Sequence, residues 1–419
     1  MSSRPLVVVC LAVLASSLGC SAGAALQSGA SGAEALSAVR FAAGETALGI
    51  PFRLVDDQIV LPVRINDTLT VEMILDTGLG FDGALLLDVR LGMQLGLTKY
   101  AQMVPLGGGG AQTPKTAGLA TGTTLGLPGV TLDNRLLLVV QDSTSVAHWH
   151  AAGIIGKALM SCVVEIDFQQ RVLNLLRSLP NAGAALGHEY PITFEQGIPV
   201  VSATVVTDRG REVPVRLLVD TGSNVALLLR ATPRPDLRAP KRLIRPVTGV
   251  LGEGMNGPMR GSVGRVGRLK LGPIALNDVL TSFVDESELV VAFGERIDGM
   301  IGNEILQRFT MTFDYAGGRM FLRPSLQFSR PFDFNMAGLV LQARRDGLFS
   351  ILDVIAGSPA ARAGVAGGDL LIAIDGRDVR SLGSEQTLGM LRARGKAVEL
   401  TLERGGRRST QKVTLARLI

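Results

Sequence analysis

Two carboxylates in the same three-residue frame are the first candidates for chemistry in this chain: Asp76-Thr77-Gly78 and Asp220-Thr221-Gly222, 144 positions apart. Two carboxyls held roughly 3 Å apart cannot both ionise, so they share one proton. One then serves as general base towards a water and the other as general acid towards a carbonyl. The competing reading is that each Asp only caps a turn after a strand. Other chemistries have little to work with. The chain holds 3 His and 3 Cys, and of the cysteines only Cys162 lies outside the N-terminal segment. No Ser-His-Asp, Cys-His or zinc-type spacing is present, so no metal and no cofactor are expected. His148-Trp149-His150 is the one histidine cluster and lacks an acidic or cysteine partner. Gly252-Glu253-Gly254-Met255-Asn256-Gly257 formally matches a dinucleotide fingerprint, but Pro258 follows and no helix pattern does.

The elements that carry these residues repeat. Ile59 to Ile65 reads as a strand, Asn66-Asp67 as a turn, and Val71 to Leu75 as a second strand ending at Asp76. Pro199 to Val206, Asp208-Arg209-Gly210 and Val213 to Val219 do the same ahead of Asp220. At nearly the same spacing, Ile154-Ile155-Gly156 answers Met300-Ile301-Gly302, and Glu165-Ile166-Asp167-Phe168 answers Thr312-Phe313-Asp314-Tyr315. Short apolar strands between glycine turns, with 51 Gly in all, predict a tandem duplication of a small all-β unit. The copies are placed at 46–185 and 186–325.

With both triplets, the apolar-apolar-Gly segments and the repeat in view, residues 48–325 resemble the aspartic peptidases, in particular the retropepsin-like units that bacteria export. The resemblance implies a mainly β fold, two acid-protease barrels forming a pepsin-like pseudo-dimer, and Asp76 and Asp220 as the catalytic pair. It implies that Thr77 and Thr221 hydrogen-bond across the two-fold axis, with Gly78, Gly222 and Ser223 supporting the loops. The stretches around Gly107, Gly108, Gly109 and Gly110, and around Gly249, Gly252 and Gly254, would be the hairpin flaps that close over a peptide. One position departs from the family pattern: Leu79 stands where Ser223 stands in the second copy. The expectation is that Leu79 crowds the outer oxygen of Asp76, that the Ser223 hydroxyl bonds Asp220, and that Asp76 therefore holds the shared proton more often. A bell-shaped rate profile on the acidic side of neutral follows from a shared proton.

Residues 326–337 read as a connector, and the texture changes after them. Gly357-Ser358-Pro359-Ala360-Ala361-Arg362-Ala363-Gly364, then Gly368-Asp369 and Ile374-Asp375-Gly376, resemble a PDZ domain of the permuted bacterial type over 338–419, an α+β module. The resemblance implies that Gly338-Leu339-Val340 receives the terminal carboxylate of a peptide, which adds as a strand. At the other end, 1–24 read as a signal peptide, with Cys20 as the candidate lipidated residue, and 25–45 as a flexible Ala/Gly/Ser-rich linker. The composition is 47% hydrophobic and 19% charged with a net charge of +5, and its scattered basic residues argue against a nucleic-acid partner. The expected protein is an exported endopeptidase, periplasmic or lipid-anchored, acting on protein or peptide substrates. The alternative is a catalytically inactive envelope protein that only binds peptides.

Overall fold

In the computed structural model, which describes residues 38–418 apart from 111–113, 143–145, 147–148, 182, 208, 231–233, 238–246, 285–296 and 333, the two halves of the repeat fold alike around their triplets. Strand Leu69–Leu75 pairs in parallel with Gly153–Ile155, which pairs antiparallel with Gly83–Leu86. Glu212–Val219, Gly299–Ile301 and Leu227–Arg230 repeat this in the second half. The registers correspond: Leu75 lies opposite Ile155, and Val219 opposite Ile301. Strands covered on both faces need uninterrupted apolar runs, which is what Met73-Ile74-Leu75 and Leu217-Leu218-Val219 supply. Backbone crowding explains two of the glycines. A Cβ on Gly153 would lie 2.7 Å from Leu85 O, and one on Gly299 would lie 2.0 Å from Leu228 O.

A sheet shared by both halves forms the base. At the seam between the halves it runs His188–Glu195, Arg319–Pro324, Phe309–Asp314, Val163–Asp167, Val172–Leu176 and Thr46–Pro51, three strands from each half. These strands lie at one end of a 13-stranded sheet that continues from His188–Glu195 into the second half. The central pair runs antiparallel with Glu165 opposite Thr312, two residues that the repeat aligns with each other. The pseudo-two-fold axis therefore passes through that pair. One apolar cluster spans both halves and includes Ile166, Leu173, Met311, Phe313 and Leu322.

The C-terminal module has its own six-stranded sheet and its own core, among them Leu341, Phe349, Ile351, Leu371, Ile374 and Leu400. Its longer helical segment occupies Val379–Met390 and is broken at Gly383, whose φ of 72° and ψ of 174° are not helical. Asp378 caps its start by accepting from the Arg380 N–H at 2.8 Å. One expectation is corrected at the N-terminal side. Val39–Phe41, assigned to a flexible linker, forms a strand antiparallel to Val130–Leu132, because half-buried Val39 and Phe41 pack on the main core. Residues 1–24 with Cys20, the linker up to residue 37, and His148 lie outside the described residues. Among the described residues no helix is long and apolar enough to cross a membrane.

Candidate active site

Each triplet leaves its strand where the parallel neighbour can hold it. Asp76 N–H donates to Ile155 O at 2.8 Å, and Asp220 N–H donates to Ile301 O at 3.0 Å. The turn then folds each carboxyl back on its own glycine. Gly78 N–H donates to Asp76 Oδ1 at 2.7 Å, and Gly222 N–H donates to Asp220 Oδ1 at 2.8 Å. The threonines cross the axis. Thr77 N–H donates to Thr221 Oγ1 and Thr221 N–H to Thr77 Oγ1, both at 3.0 Å. Their hydroxyls continue to Val219 O at 2.6 Å and Leu75 O at 2.8 Å, so each loop is tied to the opposite strand. Replacing Thr221 with Val strands two buried partners, Leu75 O and Thr77 N–H. We expect it to lower unfolding free energy by about 2 kcal/mol or more, read by denaturant titration. A loss under about 0.5 kcal/mol would show that the cross-tie carries little load.

The two carboxyls meet under this tie. Both are buried, Asp76 at 0% exposure and Asp220 at 1%. Asp76 Oδ2 and Asp220 Oδ2 have no backbone or other side-chain donor, while the carboxyls themselves lie within hydrogen-bonding reach of each other. Burial pushes Asp76 up to about 7. Asp220 is raised well above the carboxylate range, first by burial and then by the charge of Asp76. Two carboxyls this close and this buried resist ionising together, so the pair can hold one proton between them and act as acid and base together. The close approach depends on glycine: a Cβ on Gly222 would lie 2.3 Å from Asp76 Cγ.

The expected asymmetry between Leu79 and Ser223 is not found. Ser223 is fully buried, and its Oγ has no hydrogen-bond partner among the described residues, so its backbone N–H and not its hydroxyl bonds Asp220. Leu79 is also fully buried and packs among Val60, Ile74, Val104, Leu106 and Met255, joining the dyad loop to the flap strands. It fills a core rather than leaving a gap where a hydroxyl is missing. The reason for assigning the proton to Asp76 therefore falls away.

Sequence reasoning passed over three further residues. Asn303 Nδ2 donates to Thr221 O at 2.6 Å and its N–H to Ser223 O at 2.7 Å, holding the second loop from below. Gln58 Nε2 donates to Gly222 O from the first half. Asn303 directly follows the Met300-Ile301-Gly302 brace, which is a readable signal, but Lys157 occupies the matching place in the first copy and hides it.

The third is Asn256, which joins the flaps. Hairpins Gln102–Leu106/Lys115–Leu127 and Val247–Gly254/Gly257–Leu271 carry the two glycine-rich tips. Asn256 N–H donates to Gly109 O at 2.9 Å, and Nδ2 donates to Leu106 O at 3.2 Å and Gly108 O at 3.4 Å. Lys115 N–H donates back to Asn256 Oδ1 at 3.2 Å. A Cβ on Gly254 would lie 2.2 Å from Gly109 O, and one on Gly110 would lie 2.4 Å from Gly257 O, so the tips touch backbone to backbone. Gly107 lies in the first tip, whereas Gly249 and Gly252 lie further down their strand. The formal dinucleotide fingerprint is thus a hairpin tip. Asn256→Ala removes three of the four bonds, and we expect exchange of the Lys115 amide to quicken by about tenfold or more. Unchanged exchange would mean that the latch does not hold the flaps shut.

In the C-terminal module, Gly338 has φ +82 and sits where a Cβ would lie 2.2 Å from Ser358 Cβ. Its N–H already donates to Asn335 O at 3.1 Å. Of the expected carboxylate receiver, Leu339 and Val340 remain, on an edge strand paired on one side only by Phe349–Val354.

No curated protein matches the chain. Among solved structures, the aspartic proteinase from Irpex lacteus is similar at 12% identity and a TM-score of 0.42, over 68% of this chain and 99% of that one. Family models match two segments, aspartyl protease over residues 201–305 and PDZ domain over residues 350–404. The chain is mainly β and carries an aspartyl protease domain followed by a C-terminal PDZ domain.

Proposed function

We propose that the protein is an exported aspartic endopeptidase in which Asp76 and Asp220 activate a water between them, and whose PDZ domain recruits C-terminal peptide segments. One observation carries this reading: two buried carboxyls, each pinned through Oδ1 to a glycine N–H, with both Oδ2 atoms lacking any donor outside the pair. Such a pair, half protonated, can remove a proton from water while giving one to the scissile carbonyl. Residues 1–24 supply the export signal and Cys20 the point of lipid attachment in this reading, so the protein works in the periplasm or on a membrane facing it. The substrates are proteins or peptides, admitted when the flap tips part.

Incubation of the mature protein with denatured proteins, with and without a pepstatin-type inhibitor, tests the activity. Inhibitor-sensitive cleavage is expected, and a pure preparation that cuts nothing would sink the proposal. Its pH dependence is informative as well. The singly protonated pair persists between its two apparent ionisations, and burial raises both carboxyls, Asp76 to about 7. Asp76 ionises first, so the singly protonated pair builds up as pH rises through about 7, and the rate optimum moves from the acid side to neutral or above. A profile of kcat/KM that has collapsed by about pH 6 would contradict this.

A further inference from the structure

The PDZ groove faces the protease body rather than solvent. Strand Leu339–Ala343 and helix Val379–Met390 border a space that continues onto the second dyad loop. Leu339, Val340, Leu341, Leu388 and Arg392 line it from one side. Asn224 and Val225, directly after Ser223, line it from the other, together with Asp56, Asp57 and Glu304. Leu251 and Val263 of the second flap form its roof. The cavity measures about 170 Å³, room for a short stretch of chain rather than a folded element.

Several contacts between the module and the protease body hold this orientation. Arg345 donates to Trp149 O at 3.2 Å and to Ala151 O at 2.9 Å. Ser384 Oγ accepts from Asp56 N–H at 2.7 Å, and Arg392 reaches Asp57 at 3.8 Å. The edge strand stays open towards the space, as strand addition requires.

The charge of the lining is lopsided. Among the described residues Arg392 is the one cation lining it; it pairs with Asp57, and its charge also acts on Asp56 and Glu304. Neither Asp56 nor Glu304 forms an ion pair among the described residues. Asp56 is 5% exposed, yet its Oδ2 has no hydrogen-bond partner. Burial pushes both acids up to about 7 although Arg392 acts on each of them and Arg308 and Arg330 also act on Glu304, so a further cation entering the space would relieve them.

We infer that the PDZ groove and the protease body form one composite pocket, which takes an apolar C-terminal tail carrying an upstream Lys or Arg whose cation is held by Asp56 and Glu304. This rests on the endopeptidase reading only for what happens next: a tail so held lies beside Asn224, four residues after Asp220. The terminal apolar residues meet Leu339, Leu341 and Leu388. The basic side chain points across the groove to the acids of the other domain. Neither domain alone contains both halves of such a site.

Binding can be measured without cleavage in full-length protein carrying Asp220→Asn. The probes are fluorescent octapeptides ending in three apolar residues, with Lys, Ala or Glu walked through the four preceding positions, read by anisotropy. At one position Lys should bind about tenfold or more tighter than Ala, and Glu weaker still. The preference should vanish when Asp56→Asn and Glu304→Gln are added, while Leu388→Glu should weaken all the peptides alike. Equal affinity of the Lys, Ala and Glu peptides at every position overturns the inference, and needs no substitution in the pocket. So does a Lys preference that survives in a folded Asp56→Asn/Glu304→Gln protein. If Lys peptides bind as stated but the unsubstituted protein cuts nothing, the composite pocket stands and the endopeptidase reading falls.

Discussion

Asp220→Asn and Asp76→Asn are each expected to reduce peptide cleavage by about 1000-fold or more, because a neutral amide keeps the shape of the pair but can neither share nor take up its proton. Either substitution alone should suffice, since the two carboxyls act as one unit. The measurement is kcat/KM on a quenched fluorescent peptide for each variant. Activity within about tenfold of the unsubstituted protein in either variant would rule out the shared dyad. Stability gives a second readout with a definite sign. Asp76 is raised to about 7 in the folded state by burial, above its value in the unfolded chain. Its contribution is therefore full below the unfolded pKa and lost as pH rises through about 7. Asn cannot ionise, so Asp76→Asn should melt higher than the unsubstituted protein at about pH 8 and nearly level with it at about pH 4. At about 1.4 kcal/mol per pKa unit, the gain amounts to a few kcal/mol.

The second large effect is steric. Gly222→Ala brings a methyl to 2.3 Å from Asp76 Cγ, 2.5 Å from Oδ2 and 2.7 Å from Oδ1. Neither backbone can retreat, because the crossed threonine bonds fix the loops against each other. The Asp76 carboxyl must rotate away, and a displacement of about 1 Å in a reacting group costs about 100-fold in rate. Gly78→Ala should be milder, since its Cβ would approach Asp220 Cγ only to 3.1 Å and Asp76 Oδ1 to 2.8 Å. Gly389→Ala is the control: nothing lies within 4 Å of that Cβ, and Ala favours the helix there. The expected order of activity is Gly389→Ala, then Gly78→Ala, then Gly222→Ala. Equal activity of the two loop variants would show that the carboxyls are less tightly interleaved than these distances require.

The pair of triplets, the strands leading to them and the braces behind them were legible because the chain states each of them twice. An apolar strand ending in Asp-Thr-Gly is a local pattern, and local patterns survive in the order of residues. The mainly β fold and the PDZ module were readable for the same reason, through short strands, turn glycines and the Gly357 to Gly364 motif. Repetition carried no information where the copies differ. Leu79 against Ser223 looked like the loss of a hydroxyl beside a carboxylate, but Leu79 packs with Val104 and Leu106 of the flap hairpin and with Met255 of the opposite flap. Asn256, Asn303 and Gln58 act through partners 80 to 164 positions away. No spacing rule connects such residues, because closure of the barrels and of the pseudo-dimer decides what they touch. The facing of the PDZ groove is likewise a tertiary outcome. It depends on Arg345 reaching Ala151 O and Asp56 reaching Ser384, contacts between surfaces that each domain's own sequence leaves unspecified. Local chemistry was therefore written in the sequence, whereas the burial that raises Asp76, Asp220, Asp56 and Glu304 arises only where separately folded surfaces exclude water from one another.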